Sequence, residues 1–514
     1  MQSRLIGFLI LILIAVGSPG VNAQQIPFLA DLLSRYESFN RLYAEKRRAG
    51  ANLAAIETLR KRGDEAFKRG NIPGVLEVIS EAEALLRGKK WDDRQRFIAS
   101  LTLETDRLVV EPNQVLQISL TRMFPASIDK VFTSPPTVSF IIVNGEVASK
   151  TGPAEAPVAL PQPLVIAERL TIAETSSNAA RRLLLPEGSY QAVALVESGG
   201  QKIAEIKREI YAISDFSSSI AEMSRLIASL KRSTDAKTKT IAALIATPEF
   251  QLQRLAQMNK TRGEAVLNPN QELDRIESEL ATLSKGQNPF ASQRGEVERA
   301  YQASDGTLVP FRVYVPKSYD GTSAKALVVM LHGALGDEGY YFSGLFDPAV
   351  IKAEAERRGY ILVGVNGRGR FPSYTGPSQD DVFEVINAVA RDYRIDDSRI
   401  FLTGHSMGGF GVWLVASSKP DQFAAVAAVS GGPPTQGDAL LGLLEKMKHL
   451  PAMIAHGAQD GVAPVQLSRT MAAAAEKAGL KVSYLEVPDG DHVSVVASTF
   501  PAIMDFFEKN AKSR

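Results

Sequence analysis

The sequence predicts a multidomain chain. Its C-terminal part is an α/β domain with a mostly parallel sheet and helices on both faces, preceded by helical and small β-sandwich regions. Three observations point there. A chain of 514 residues exceeds what one ordinary core holds. Its texture changes from helical to β and back to helical before the last segment. That segment then alternates short apolar runs with helical patterns, the mark of parallel strands covered on both faces.

Taken in chain order, Arg4 precedes an apolar run from Leu5 to Val16, and Val21-Asn22-Ala23 supplies the small residues favoured before a cleavage site. Residues 1–23 read as a signal peptide, too short to span a bilayer comfortably, so the expectation is an exported protein, periplasmic or extracellular. No later stretch is apolar enough for a transmembrane helix, and the mature chain is expected to have none. From 24 to 96 the apolar positions Leu53, Ile56 and Leu59, then Ala66 and Phe67, recur at helical spacing, and Gly70-Asn71-Ile72-Pro73 punctuates them. Residues 97–213 carry short β-branched runs, Gln114–Leu120, Thr137–Val143, Leu164–Ile172 and Tyr190–Ser198, which read as a β-sandwich of immunoglobulin-like texture. Residues 214–289 return to helix and end at Gly286-Gln287-Asn288-Pro289, a helical linker region.

In 290–514 the clearest strands are Ala326–Leu331, Ile361–Val365, Ile400–Thr403, Val426–Ser430, Ala452–His456 and Val482–Val487. Between them Val382, Phe383, Ile386, Val389, Ala390 and Tyr393 share one helix face. Any catalytic residues belong at the carboxyl ends of such strands.

Composition removes several function classes. The 58 basic and 57 acidic residues leave a net charge of +1, so no global attraction to nucleic acid is expected. The absence of cysteine removes disulfides, a thiolate nucleophile and a thiolate zinc site. No metal or organic cofactor is called for.

Gly404-His405-Ser406-Met407-Gly408 follows the strand Ile400–Thr403 and opens a helix. A nucleophilic serine needs that tight strand-to-helix turn, where crowding leaves little room for side chains two residues away. For a serine carried this way the acid and then the histidine follow in the chain. His449 lies beside Lys446 and Lys448 and reads as solvated; His456 closes a strand and reads as structural. His492 lies on the loop before the last helix and is the candidate base. Asp460 leaves the strand Ala452–His456 and is the candidate acid that orients it, while Asp489 and Asp491 suit turn-shaping. The oxyanion hole is expected from the backbone N–H of Met407 with that of Ala334 or Leu335. His332 reads as a brace for that loop and His405 as packing beneath the turn. Tyr341 and Tyr374 are candidate substrate contacts, although a core role fits them equally.

Residues 326–495 resemble the α/β-hydrolase esterases related to polyhydroxybutyrate depolymerases, feruloyl esterases and prolyl-oligopeptidase-type hydrolases. The resemblance rests on Leu331-His332-Gly333, Arg399-Ile400-Phe401-Leu402-Thr403 and Gly404-His405-Ser406-Met407-Gly408-Gly409. It extends to Pro420-Asp421-Gln422-Phe423, Ser430-Gly431-Gly432, His456-Gly457 with Asp460, and His492. It implies an α/β-hydrolase fold and hydrolysis of a small-molecule or polymeric ester through an acyl-enzyme on Ser406. It also implies an immunoglobulin-like module ahead of the hydrolase. Contact of the N-terminal modules with cell wall or polysaccharide is a separate expectation, tied to a binding role for those modules. Residues 24–289 supply no β-propeller, which departs from the peptidases of this group. A serine peptidase and a non-catalytic scaffold on a hydrolase frame are the rival readings.

Overall fold

The computed structural model describes scattered positions of 35–48 and then 49–512, except 129–130, 146–161, 173–175, 236–240, 260–267, 335, 343–344 and 370–373. The signal peptide expected over 1–23 lies outside the described residues. No described helix is long and apolar enough to cross a membrane. Two compact units are formed, one from 23–232 with 251–281, the other from 233–250 with 282–514.

In the N-terminal unit, α1 (Ala54–Lys68) and α2 (Ile72–Leu86) pack as a pair. Asn71 caps α2 by accepting the Gly74 N–H at 3.0 Å, and Pro73 fits the first turn, where its missing N–H costs nothing. Asp92 caps α3 (Asp93–Ser100) in the same way. Strands β1 (Leu101–Thr105), β2 (Val109–Val110), β3 (Val115–Arg122), β4 (Thr137–Asn144), β5 (Leu164–Thr171), β6 (Ser176–Arg182), β7 (Gly188–Ser198) and β8 (Gln201–Ala212) follow. They form a three-stranded sheet, β1-β3-β6, and a five-stranded one, β2-β8-β7-β4-β5. Alternate residues of each sheet, Leu116, Ile118 and Leu120 against Val138, Phe140 and Ile142, enter one shared core, as period-two patterning demands. Phe97 of α3 enters the same core, so the boundary expected between 96 and 97 cuts through a helix. Strands β1, β6 and β8 escape sequence reading because charged or small polar residues interrupt their apolar pattern.

The linker expected over 214–289 is corrected. Helix α4 (Phe216–Arg232) belongs to the N-terminal unit, and the division between units falls inside α5 (Ala246–Gln257) and α6 (Pro269–Ser284). Leu244, Ile245, Ile276 and Leu280 are buried, and a stretch with buried apolar stripes is part of a core, not a tether.

The C-terminal unit opens with β9 (Gly295–Gln302), β10 (Leu308–Val315) and β11 (Lys325–Leu331). Then come α7 (Pro348–Arg358), β12 (Ile361–Val365), α8 (Pro377–Asp392), β13 (Ile395–His405) and α9 (Met407–Ser418). Strand β14 (Ala425–Val429), α10 (Gly437–Lys446), β15 (Ala452–Gly457), α11 (Gln466–Lys477), β16 (Val482–Val487) and α12 (Ser494–Lys509) complete it. The eight strands run in the order β16-β15-β14-β13-β11-β12-β10-β9. Pairing is parallel from β16 to β12, while β10 pairs antiparallel with both β12 and β9. That edge hairpin is absent from the sequence reading. Leu327, Val329 and Leu331 bury on the face covered by α8, α9, α10 and α11. Ala326, Val328 and Met330 bury on the other, covered by α7 and α12. Burial on both faces is why these strands read as unbroken apolar runs.

Candidate active site

Ser406 sits where β13 turns into α9, with φ at +55°, a region strained for any residue with a side chain. The neighbouring glycines make the turn feasible. A Cβ on Gly404 would stand 2.3 Å from the Gly408 carbonyl oxygen, and one on Gly408 would stand 2.1 Å from that of Leu331. The turn is pinned by the Ser406 N–H donating to the Val429 carbonyl at 2.9 Å. Although Ser406 occupies the N-cap of α9, its hydroxyl makes no capping bond. It lies 2.9 Å from Nε2 of His492 instead.

The three candidate residues come together at the carboxyl ends of the strands. His492, just ahead of α12, has its Nδ1 at 2.7 Å from Oδ2 of Asp460, which follows β15. A ring nitrogen facing a carboxylate carries the proton, which leaves Nε2 to accept one from Ser406. Oδ1 of Asp460 accepts the Val462 and Ala463 N–H groups, each at 2.9 Å. Burial pushes the Asp460 carboxyl upward, but the hydrogen bonds from His456 and His492 outweigh it and hold the group well below the usual carboxylate range. The carboxylate of Asp491 accepts from the backbone of Val493 and Ser494, shaping the turn that presents His492.

On the other side of Ser406, Met407 is the first residue of α9, where an N–H has no intrahelical partner and the helix end is positive. Ala334 is half-buried on the loop after β11; Leu335 lies outside the described residues. His332 braces this loop, with Nδ1 at 2.7 Å from the Gly333 carbonyl and Nε2 at 2.6 Å from that of Asn366.

Tyr341 and Tyr374 are corrected from substrate contacts to supports. Both are buried, Tyr374 completely, and their hydroxyls donate to the carbonyls of Leu331 and His332 at 3.1 and 3.0 Å. Ring and hydroxyl are both spent inside the fold. Burial pushes both phenols well up from their ordinary value, so they remain neutral donors.

Sequence reasoning missed the contacts that two of the histidines make. His405 is not passive packing: its Nε2 donates to the His492 carbonyl at 2.6 Å, and its Nδ1 lies 3.0 Å from the Tyr340 hydroxyl. Burial, then the neighbouring His492, push His405 well below its ordinary value, so it is neutral. His456 is wholly buried with Nε2 at 3.1 Å from Oδ2 of Asp460, and Ser468 of α11 holds its other nitrogen. The His405 contacts arise only where the chain folds back on itself, whereas His456 lies four residues from Asp460 and meets it across the turn after β15. Exposed His449 pairs with Asp421, away from the site. Among the described residues no group of His, Asp and Glu converges to hold a metal.

Residues 372–433 match the prolyl oligopeptidase family. Feruloyl esterase B of Neurospora crassa is 28% identical over 139 residues, 25% of this chain and 46% of that one. Acetylxylan esterase A of Emericella nidulans is 26% identical over 138 residues, 25% of this chain and 43% of its own. An uncharacterized peptidase of Bacillus subtilis, YuxL, is 24% identical over 234 residues, 38% of this chain and 35% of that one. The chain thus spans between about a third and a half of the length of these relatives.

Proposed function

We propose that this chain is an α/β-hydrolase of the serine type that cleaves carboxylic esters, a reading supported by its likeness to the prolyl oligopeptidase family over 372–433 and to feruloyl and acetylxylan esterases. The single observation that carries the reading is the continuous hydrogen-bonded line from Ser406 through His492 to Asp460. In this mechanism Nε2 of His492 takes the Ser406 proton as Oγ attacks the ester carbonyl. The imidazolium is stabilised by the ionised Asp460. The Met407 N–H and one from the Ala334–Leu335 loop receive the charge on the former carbonyl oxygen. The imidazolium then gives its proton to the leaving alcohol, and water, activated by the same ring, releases the acid and restores Ser406.

The peptidase reading is second, favoured by the family matched over 372–433 and by the Bacillus relative's name. Amide and ester hydrolysis share the tetrahedral intermediate, so geometry alone leaves the leaving group open. Export belongs to the same proposal, on the apolar run and small residues before Gln24. So does a β-sandwich module over 97–213, supported by two sheets sharing one core. Contact of the N-terminal regions with cell wall or polysaccharide is its furthest extension.

The test compares p-nitrophenyl acetate, a feruloyl ester and a peptide anilide with wild type and Ser406→Ala. Ester turnover falling roughly a millionfold in the variant is the expected result. Anilide turnover without ester turnover selects the peptidase. Equal rates in both proteins overturn the assignment of the nucleophile.

A further inference from the structure

Asp460 has more partners than its bond to His492 requires. His456 ends β15 with no exposed surface, and its Nε2 stands 3.1 Å from Oδ2, the same oxygen that accepts from His492. That Nε2 also donates to the Ala463 carbonyl at 2.8 Å. A ring nitrogen facing a carboxylate and a carbonyl has two acceptors before it, so it carries the proton. The opposite nitrogen, Nδ1, lies 2.6 Å from Oγ of Ser468, which in turn lies 3.0 Å from the Gly431 carbonyl. One hydroxyl proton faces two acceptors there. Either Ser468 donates to a neutral ring, or a protonated ring donates to Ser468 while the hydroxyl donates to Gly431. Both arrangements keep the ring in one orientation with Nε2–H toward Asp460.

We propose that His456, held by Ser468, is a positioning residue for Asp460, fixing Oδ2 toward His492 and dividing that oxygen between two ring N–H groups. The proposal rests on the reading of Ser406, His492 and Asp460 as the reacting set. A carboxylate oxygen divided between two N–H groups attracts each less strongly than it would one alone. The first effect of His456 is therefore geometric and the second electrostatic. The depressed Asp460 carboxyl agrees with this, because after burial His456 and His492 are its leading influences.

The other groups that bear on the two rings are few. His456 meets Asp460 and Ser468, and it adds to the field that holds Glu486 of β16 below its ordinary value, with Arg469 and Tyr484 bonded to that carboxylate. His492 meets Asp460, Ser406 and the neutral ring of His405, whose centroid is 4.6 Å away and which Tyr340 holds.

The experiment follows p-nitrophenyl acetate hydrolysis against pH for wild type, His456→Ala, His456→Gln, Ser468→Ala and Ser406→Ala. In His456→Ala, kcat should fall about tenfold, the loss of one hydrogen bond to a charged group, with KM little changed. The acidic limb of kcat/KM should move to higher pH, because His492 gains the whole carboxylate. His456→Gln, whose amide N–H reaches toward the place of Nε2, should recover most of kcat. Ser468→Ala should shift the limb in the same direction by less. A wild-type kcat and limb in His456→Ala, with Ser406→Ala inactive, overturns the proposal. If His456→Ala does not fold, Ser468→Ala decides: a raised limb supports the proposal and a wild-type profile overturns it. An active Ser406→Ala removes the premise, and that failure is visible before any other variant is measured.

Discussion

The C-terminal unit buries two clusters of charge that differ in kind. At the carboxyl ends of the strands, Asp460 is surrounded by His492, His456 and two backbone N–H groups. Elsewhere in the unit, Asp392 at the end of α8 pairs with Arg299 of β9, each side chain no more than 2% exposed, and accepts from Asn288 at 2.8 Å. The Arg299 guanidinium lies 3.7 Å above the Phe290 ring, and its Nε donates to Thr247. Both carboxylates are fully served. Arg299 cannot give up a proton and its cluster ends in aromatic rings, so it holds structure. His492 can exchange a proton, and its cluster ends in a hydroxyl on a strained turn, so it can do chemistry. Burial of charge alone does not mark function; a titratable link to a reactive atom does.

Matching substitutions sharpen the contrast. Asp460→Asn keeps the shape of the acid but removes its charge, and the amide can present an N–H where an acceptor is required. kcat should fall roughly ten-thousandfold while the thermal midpoint moves by only a few degrees. Assay and calorimetry on one preparation check both halves. A variant with kcat near wild type would erase the distinction between the clusters.

Arg299→Ala probes the other cluster and should do the reverse. It leaves Asp392 charged, buried and without its guanidinium, at a cost of about 3–5 kcal/mol in denaturant unfolding. Activity per folded molecule should stay close to wild type. Lost activity in a stable variant would mean that the two clusters are coupled.

The smallest expected effect lies in pH dependence. His405 is held neutral in the fold, its value pushed down by burial and then by His492, whereas an unfolded chain releases it to titrate normally. The unfolded state therefore binds the extra proton first. Stability from this group is full above the ordinary histidine range and declines as pH falls through it and below. Wild type should lose thermal stability on acidification, and His405→Gln should lose less over the same interval. Identical slopes would show that His405 contributes nothing to the acid response.

Legibility followed the range of the interactions. Ser406 was legible because Gly404 and Gly408 must lie two residues either side of it. The strands beside it were legible because burial on both faces leaves an unbroken apolar run. Tyr341 and Tyr374 were misread, since an aromatic beside a loop looks alike in sequence whether it faces a pocket or props the backbone. Strand β9 was hidden because Glu296, Glu298 and Arg299 break its apolar pattern, and their ion pairs appear only when the strand is placed.

By itself the sequence determined the parallel strands and the turn that presents Ser406, both consequences of local sterics and periodic burial. The tertiary structure alone decided that Oδ2 of Asp460 meets two imidazoles, that His405 grips the backbone of His492, and that 214–289 is shared between two units. His492 reaches Asp460 from 32 residues away and His405 reaches His492 from 87, so those distances depend on how whole elements pack; His456 is only four residues from Asp460, and there the turn after β15 sets the contact.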